Sequence, residues 1–154
     1  MAELGTAVDL RDAEVAFGTS HEGRILKRWA ASSRYAAGAR GYLKGGRYDD
    51  FDFVVFGGDG LVICYLEVKL RRSPLSRFGD VMFPARKHDF AVMARSKRRT
   101  PVVAVTEYGC GALVEVGLWQ EPDARRDIVR RDRPGTNPVP HVFYEKAKMR
   151  VLSA

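Results

Sequence analysis

Three charged residues bracket two apolar runs in the middle of this chain. Asp52 opens Phe53-Val54-Val55-Phe56, a turn of Gly57-Gly58-Asp59-Gly60 follows, and Leu61-Val62-Ile63-Cys64-Tyr65-Leu66 leads into Glu67-Val68-Lys69. Both runs are short and rich in β-branched and aromatic residues, so they read as strands, and the glycines between them supply the positive φ of a tight hairpin. Antiparallel pairing then returns Glu67 to the end of the hairpin where Asp52 sits. Side chains alternate across a strand, which puts Glu67 and Lys69 on one face and turns Val68 to the other. Two carboxylates and an ammonium converge.

Carboxylate oxygens are hard ligands, and Mg²⁺ is commonly held by one or two of them together with water and substrate phosphate. Such a cation lowers the pKa of a bound water and offsets charge growing on a phosphate, while a lysine can orient the water or stabilise the transition state. Asp52 and Glu67 are therefore candidate ligands for Mg²⁺ or Mn²⁺, and Lys69 is the candidate partner of an attacking water. The expected chemistry is phosphodiester hydrolysis. Asp49 and Asp50 precede the same strand, and Asp50 shares a face with Asp52 if the strand begins early; Asp52 is preferred because it abuts the apolar run. A Glu-x-Lys pair also occurs on solvated strands with no further role. Here the strand is apolar enough to be central and buried, where unpaired charge is costly.

The runs Phe51-Asp52-Phe53-Val54-Val55-Phe56 and Leu66-Glu67-Val68-Lys69 resemble the core motif of the PD-(D/E)XK nuclease superfamily, with Phe51 where the eponymous proline often stands. Within it the order of elements is similar to that of the Holliday-junction resolvases: a helix carrying a glutamate, the Asp strand, the Glu-x-Lys strand, a basic helix and a further strand. The likeness spans roughly Gly18 to Val116. It implies an α/β fold with a restriction-endonuclease-like core, a mixed central sheet flanked by helices, and a Mg²⁺-dependent DNA endonuclease that acts on branched DNA as a homodimer. It also places Glu22, in Gly18-Thr19-Ser20-His21-Glu22-Gly23-Arg24-Ile25-Leu26, at the family's glutamate position as a third metal ligand. On its own, Glu22 is equally an acidic residue complementing a helix dipole or completing a capping box. Its spacing with Leu26 and Trp29 gives all three one helix face.

The elements that must position these groups follow from periodicity and punctuation. A helix is expected from Thr19 to about Ala37, then a glycine-rich loop or irregular strand over 38–47, then the hairpin. Ser73 to Val81 contains Pro74 and Gly79 and reads as a loop. Pro84 to Ser96 is amphipathic, Pro101 to Glu107 is a buried strand, and Gly109-Cys110-Gly111 turns into a strand over Ala112 to Trp119. Residues 1–120 thus form the expected nuclease-like domain. Beyond Glu121 come four prolines and paired arginines, read as an extended C-terminal arm over 121–154 that docks on its own domain or on a partner subunit.

The chain has 154 residues, a net charge of +7, and 45% hydrophobic and 29% charged residues, as in a small soluble globule. The positive charge is concentrated. Lys69, Arg71, Arg72, Arg77, Arg86, Lys87, Arg95, Lys97, Arg98 and Arg99 face only Asp80 and Asp89 over that stretch. Apart from Lys69, these basic residues are candidate DNA contacts flanking the metal site. The two cysteines make neither a zinc site nor a disulfide framework, and no segment is long or apolar enough for a signal peptide or membrane span. An intracellular protein, of a cell or a phage, is expected. His21 and His88 read as surface groups, the Gly57–Gly60 turn lacks the tail of a phosphate loop, and no serine or cysteine sits in a plausible triad. Other readings of the same features are a restriction-like or exonucleolytic nuclease, or a basic DNA-binding protein without catalysis.

Overall fold

A computed structural model describes residues 8–9, 21–45, 49–74, 80–120, 124–129 and 139–153. In chain order these form β1 (Val8–Asp9), α1 (His21–Ser32), a 3-10 turn at Arg34–Ala36, β2 (Ala39–Lys44), β3 (Phe53–Gly57), β4 (Val62–Arg71) and β5 (Asp80–Pro84). They continue with α2 (Ala85–Arg98), β6 (Val102–Tyr108), β7 (Leu113–Gly117), β8 (Ala124–Val129), β9 (Val139–Glu145), a 3-10 turn at Lys146–Lys148 and β10 (Met149–Ser153). The fold is α/β, with a mixed central sheet flanked by helices.

Seven strands make the main sheet, in the order β1-β2-β3-β4-β6-β7-β10, and β5-β9-β8 make a second, smaller one. Neighbours in the main sheet are antiparallel except β4 and β6, which run parallel with Glu67 beside Ala104 and Lys69 beside Thr106. The hairpin joining β3 to β4 turns where expected, with Gly60 at φ +79° and the Leu61 N–H donating to Asp59 Oδ1 at 3.0 Å.

Alternation along the central strands builds two cores. Phe53, Val55, Cys64, Leu66, Val103 and Val105 face α1 and pack with Ile25, Leu26 and Trp29. Val54, Tyr65, Val102 and Ala104 face the other way, against Ala85, Ala91 and Ala94 of α2 and Val81, Phe83, Val142 and Tyr144 of the second sheet. Central strands apolar on both faces are what a sheet covered on both sides requires. Burying such side chains contributes about 1.5–3 kcal/mol each.

Several boundaries differ from expectation. The helix expected to reach Ala37 stops at Ser32, because Ser33 leaves helical geometry and its hydroxyl accepts from the Tyr35 N–H to start the 3-10 turn. The proposed caps Thr19 and Ser20 lie outside the described residues. The segment over 38–47 forms a strand over Ala39–Lys44 whose register with β3 shifts between Ala39 and Gly41, the irregular strand that is one of the two expectations. Gly45 ends it where a Cβ would stand 2.6 Å from the Phe51 carbonyl oxygen, so only glycine fits. Part of the expected loop at 73–81 gives way to β5, whose pairing partner, β9, lies some sixty residues on. In the region beyond 121, β9 pairs with β5 and β8, and β10 adds to the main sheet beside β7.

Candidate active site

The hairpin brings Asp52 and Glu67 side by side. Asp52 immediately precedes β3 and is pinned on both flanks: its carbonyl accepts from the Gly45 N–H at 2.7 Å and its N–H donates to Leu66 O at 2.9 Å. Its Oδ2 also accepts from the Val68 N–H at 2.8 Å. The carboxylate is thereby fixed against β4 within one residue of Glu67. Asp50 instead turns toward α2, 3.8 Å from Arg86.

Glu67 is only 6% exposed. Its Oε2 accepts from Lys87 Nζ at 2.8 Å. Burial pushes the Glu67 carboxyl above its ordinary value and the neighbouring Asp52 charge adds to that, while Lys87 and then Lys69 oppose it without cancelling it. Lys69 projects from the same face of β4 as Glu67, as alternation requires. Its Nζ donates to Met82 O of β5 at 3.0 Å and rests 4.0 Å from the centre of the Phe83 ring.

Glu22 stands apart from this group. On the first turn of α1 it pairs with Lys44 Nζ at 3.0 Å. Lys44 lies opposite Phe53, which faces α1, so the Glu22–Lys44 pair belongs to the α1 side of the sheet beside the end of β3. Among the described residues no three His, Cys, Asp or Glu side chains are arranged to hold a metal ion. Of the three expected carboxylates, the structure draws Asp52 and Glu67 together, while Glu22 is paired with Lys44 of β2. Two adjacent carboxylates still suit a hard divalent cation that completes its shell with water and phosphate oxygens.

The basic residues divide. Arg86, at the start of α2, is well exposed beside the site, with a side chain 62% accessible. Arg95, Lys97, Arg98 and Arg99 are exposed toward the far end of that helix, roughly 12 to 18 Å from Lys87 at 1.5 Å per residue. Arg95 stacks on Trp119 at 5.1 Å and Arg98 donates to the Tyr65 hydroxyl at 3.0 Å. Arg71 is half-buried and Arg72 exposed at the end of β4 beyond Lys69. Arg77 lies outside the described residues. Lys87 is the exception. It was expected as an exposed phosphate contact and is instead 9% exposed, on the buried stripe that continues to Ala91 and Ala94. That stripe is legible in the sequence at spacings i, i+4 and i+7, and it is the signal that would have separated Lys87 from its neighbours.

His88 is not a surface group. It is buried, and its Nδ1 lies 2.8 Å from Leu118 O and 2.9 Å from the Tyr144 hydroxyl, which itself donates to Leu118 O at 2.8 Å. Through these contacts the imidazole ties α2 to β9, its tautomer deciding which partner Nδ1 serves. Cys64 is buried and its thiol pushed far up, chiefly by that burial, which removes it as a nucleophile. No helix among the described residues is long and apolar enough to cross a membrane.

No family model matches the chain, and no curated protein sequence matches it. Among solved structures it is similar to Hjc, a Holliday junction resolvase from the archaeal hyperthermophile Archaeoglobus fulgidus, with a TM-score of 0.45 and 12% identity over 83% of this chain and 86% of that one.

Proposed function

We propose that this chain is a divalent-metal-dependent DNA nuclease, a Holliday-junction resolvase or a related structure-selective endonuclease. One observation carries the reading: Asp52 and Glu67 meet at the end of a hairpin with two lysines turned to the same place. Like charges that close are unfavourable unless a cation joins them. Exposed arginines beside and beyond the site provide for a polyanion.

Asp52 and Glu67 would hold the cation, Mg²⁺ or Mn²⁺. A cation of that kind supplies an acidified water and charge neutralisation at the scissile phosphate. Lys69 Nζ, steadied by Met82 O and the Phe83 ring, would turn a donated hydrogen bond to the attacking water or to a non-bridging phosphate oxygen as negative charge accumulates there. The Val68 N–H keeps the Asp52 carboxylate oriented while this happens. Phe83 and the buried second core exclude water from one side. Cutting a four-way junction symmetrically requires two such sites related by a two-fold axis, so a homodimer belongs to the proposal.

The test is incubation of the protein with a labelled four-way junction, a linear duplex and a single strand, each with Mg²⁺ or with chelator. Metal-dependent nicking at the branch is the expected result. Shortening from duplex ends would replace the resolvase with an exonuclease, and binding without cutting in any metal would reduce the chain to a DNA-binding protein.

A further inference from the structure

Lys87 and Lys69 both face Glu67, yet they are held differently. Lys69 is engaged with β5 through Met82 O and Phe83. Lys87 comes from the first turn of α2, is buried, and places its Nζ 2.8 Å from Glu67 Oε2. An ammonium is tolerated under a helix only beside a counter-charge, and two carboxylates are tolerated together only beside a cation. Each condition answers the other. Lys87 thus sets a protein cation against Glu67 where the proposed chemistry calls for an external one. A divalent ion that takes Glu67 Oε2 as a ligand must first compete with that ammonium, because one carboxylate oxygen cannot serve both at full strength.

We infer that Lys87 is a built-in counter-ion, a positioning residue that holds Glu67 in the metal-free protein and yields Oε2 to the incoming divalent cation, so that it sets how tightly the cation binds. This rests on the nuclease reading of the site and adds the residue that regulates its loading. Lys87 is then not one of the phosphate-tracking side chains, although it lies in the same basic run.

Calorimetric titration with Mn²⁺ alone, on the full chain without DNA, tests this. Lys87→Met keeps the shape of the stem and removes the charge, and it should bind Mn²⁺ about tenfold or more tightly than wild type, the lower range of coupling measured for close charge pairs. In chelator its Tm should fall below that of wild type, and Mn²⁺ should raise it by more. Lys87→Gln, which still donates a neutral hydrogen bond, should fall between, and Lys87→Arg should resemble wild type. If wild type binds Mn²⁺ and Lys87→Met binds it equally or more weakly, the counter-ion role is wrong and the metal site stands. If wild type binds neither Mn²⁺ nor Mg²⁺, both readings fall together. Should Lys87→Met and Lys87→Gln fold only when Mn²⁺ is added, the inference is supported; failure to fold with metal present overturns it.

Discussion

Glu67 is held between opposing influences. Burial and the Asp52 charge push its carboxyl up, and Lys87 and Lys69 pull it back without restoring its ordinary value. A carboxylate in that setting gains from any additional cation, which is the physical basis for reading it as a ligand. Asp52→Asn and Glu67→Gln each remove one proposed ligand charge with little change of shape, so metal-dependent cleavage should fall by roughly a hundredfold or more; Glu67→Gln also leaves Lys87 without its counter-charge and should lower Tm. Glu22→Gln should do much less, within about tenfold, the smaller end of effects seen for groups that do not ligate directly. Cleavage assays on the three variants side by side decide between a two-carboxylate and a three-carboxylate centre; equal losses in all three would restore Glu22 to the site.

At the scale of elements, α1 is fastened to the sheet by polar tethers as well as by its apolar face. Glu107 of β6 accepts from Arg24 Nη2 at 2.5 Å and from Arg28 Nη1 at 2.8 Å, and Arg28 also donates to Gly111 O. Glu115 of β7 is buried and its Oε2 accepts from Trp29 Nε1 and from Ser33 Oγ. Burial alone would push the Glu107 carboxyl up, but the hydrogen bonds and charges of the two arginines outweigh it, and the carboxyl lies below its ordinary 4.5. A depressed carboxylate stabilises the fold above its unfolded pKa and loses that contribution as pH falls through the folded one. Glu107→Gln should therefore cost about 1 to 3 kcal/mol at pH 7 in a denaturant titration, and its deficit relative to wild type should shrink as the pH drops below 4.5. The parallel pair β4 and β6 has its own constraint. A Cβ at Gly109 would stand 2.0 Å from Arg72 O just beyond the two strands. Gly109→Ala should cost about 1 to 3 kcal/mol through overpacking, lowering Tm by roughly 3 to 10 °C.

For the whole molecule, the +7 charge would, on the proposed nuclease reading, govern how DNA is met before any chemistry begins. Affinity should fall linearly on a logarithmic salt scale, with a slope of about 0.9 for each phosphate neutralised in duplex. Lys97 and Arg99 are exposed at the end of α2. Replacing both with alanine should flatten that slope by up to about two and weaken junction and duplex alike. Mn²⁺ affinity should not change, which separates the DNA surface from the metal site. An unchanged slope would place the DNA path elsewhere, with Arg71, Arg72 and Arg86 the next to replace.

The amino-acid order alone carried the hairpin, its turn, and the sharing of one face by Glu67 and Lys69, because period-two alternation and turn glycines act over a few residues and need nothing distant to operate. It carried the helix and strand types around them for the same reason. The partners were decided by the fold. Glu67 meets Lys87 because a crossover of β5 and α2 lays that helix back over β4, and Glu22 meets Lys44 because α1 settles on the opposite face. β5, read as part of a loop, is a strand only because β9 arrives to pair with it. Local pattern determines which way a side chain points; which charge it finds there depends on packing between segments far apart in the chain, and only the assembled tertiary structure sets that.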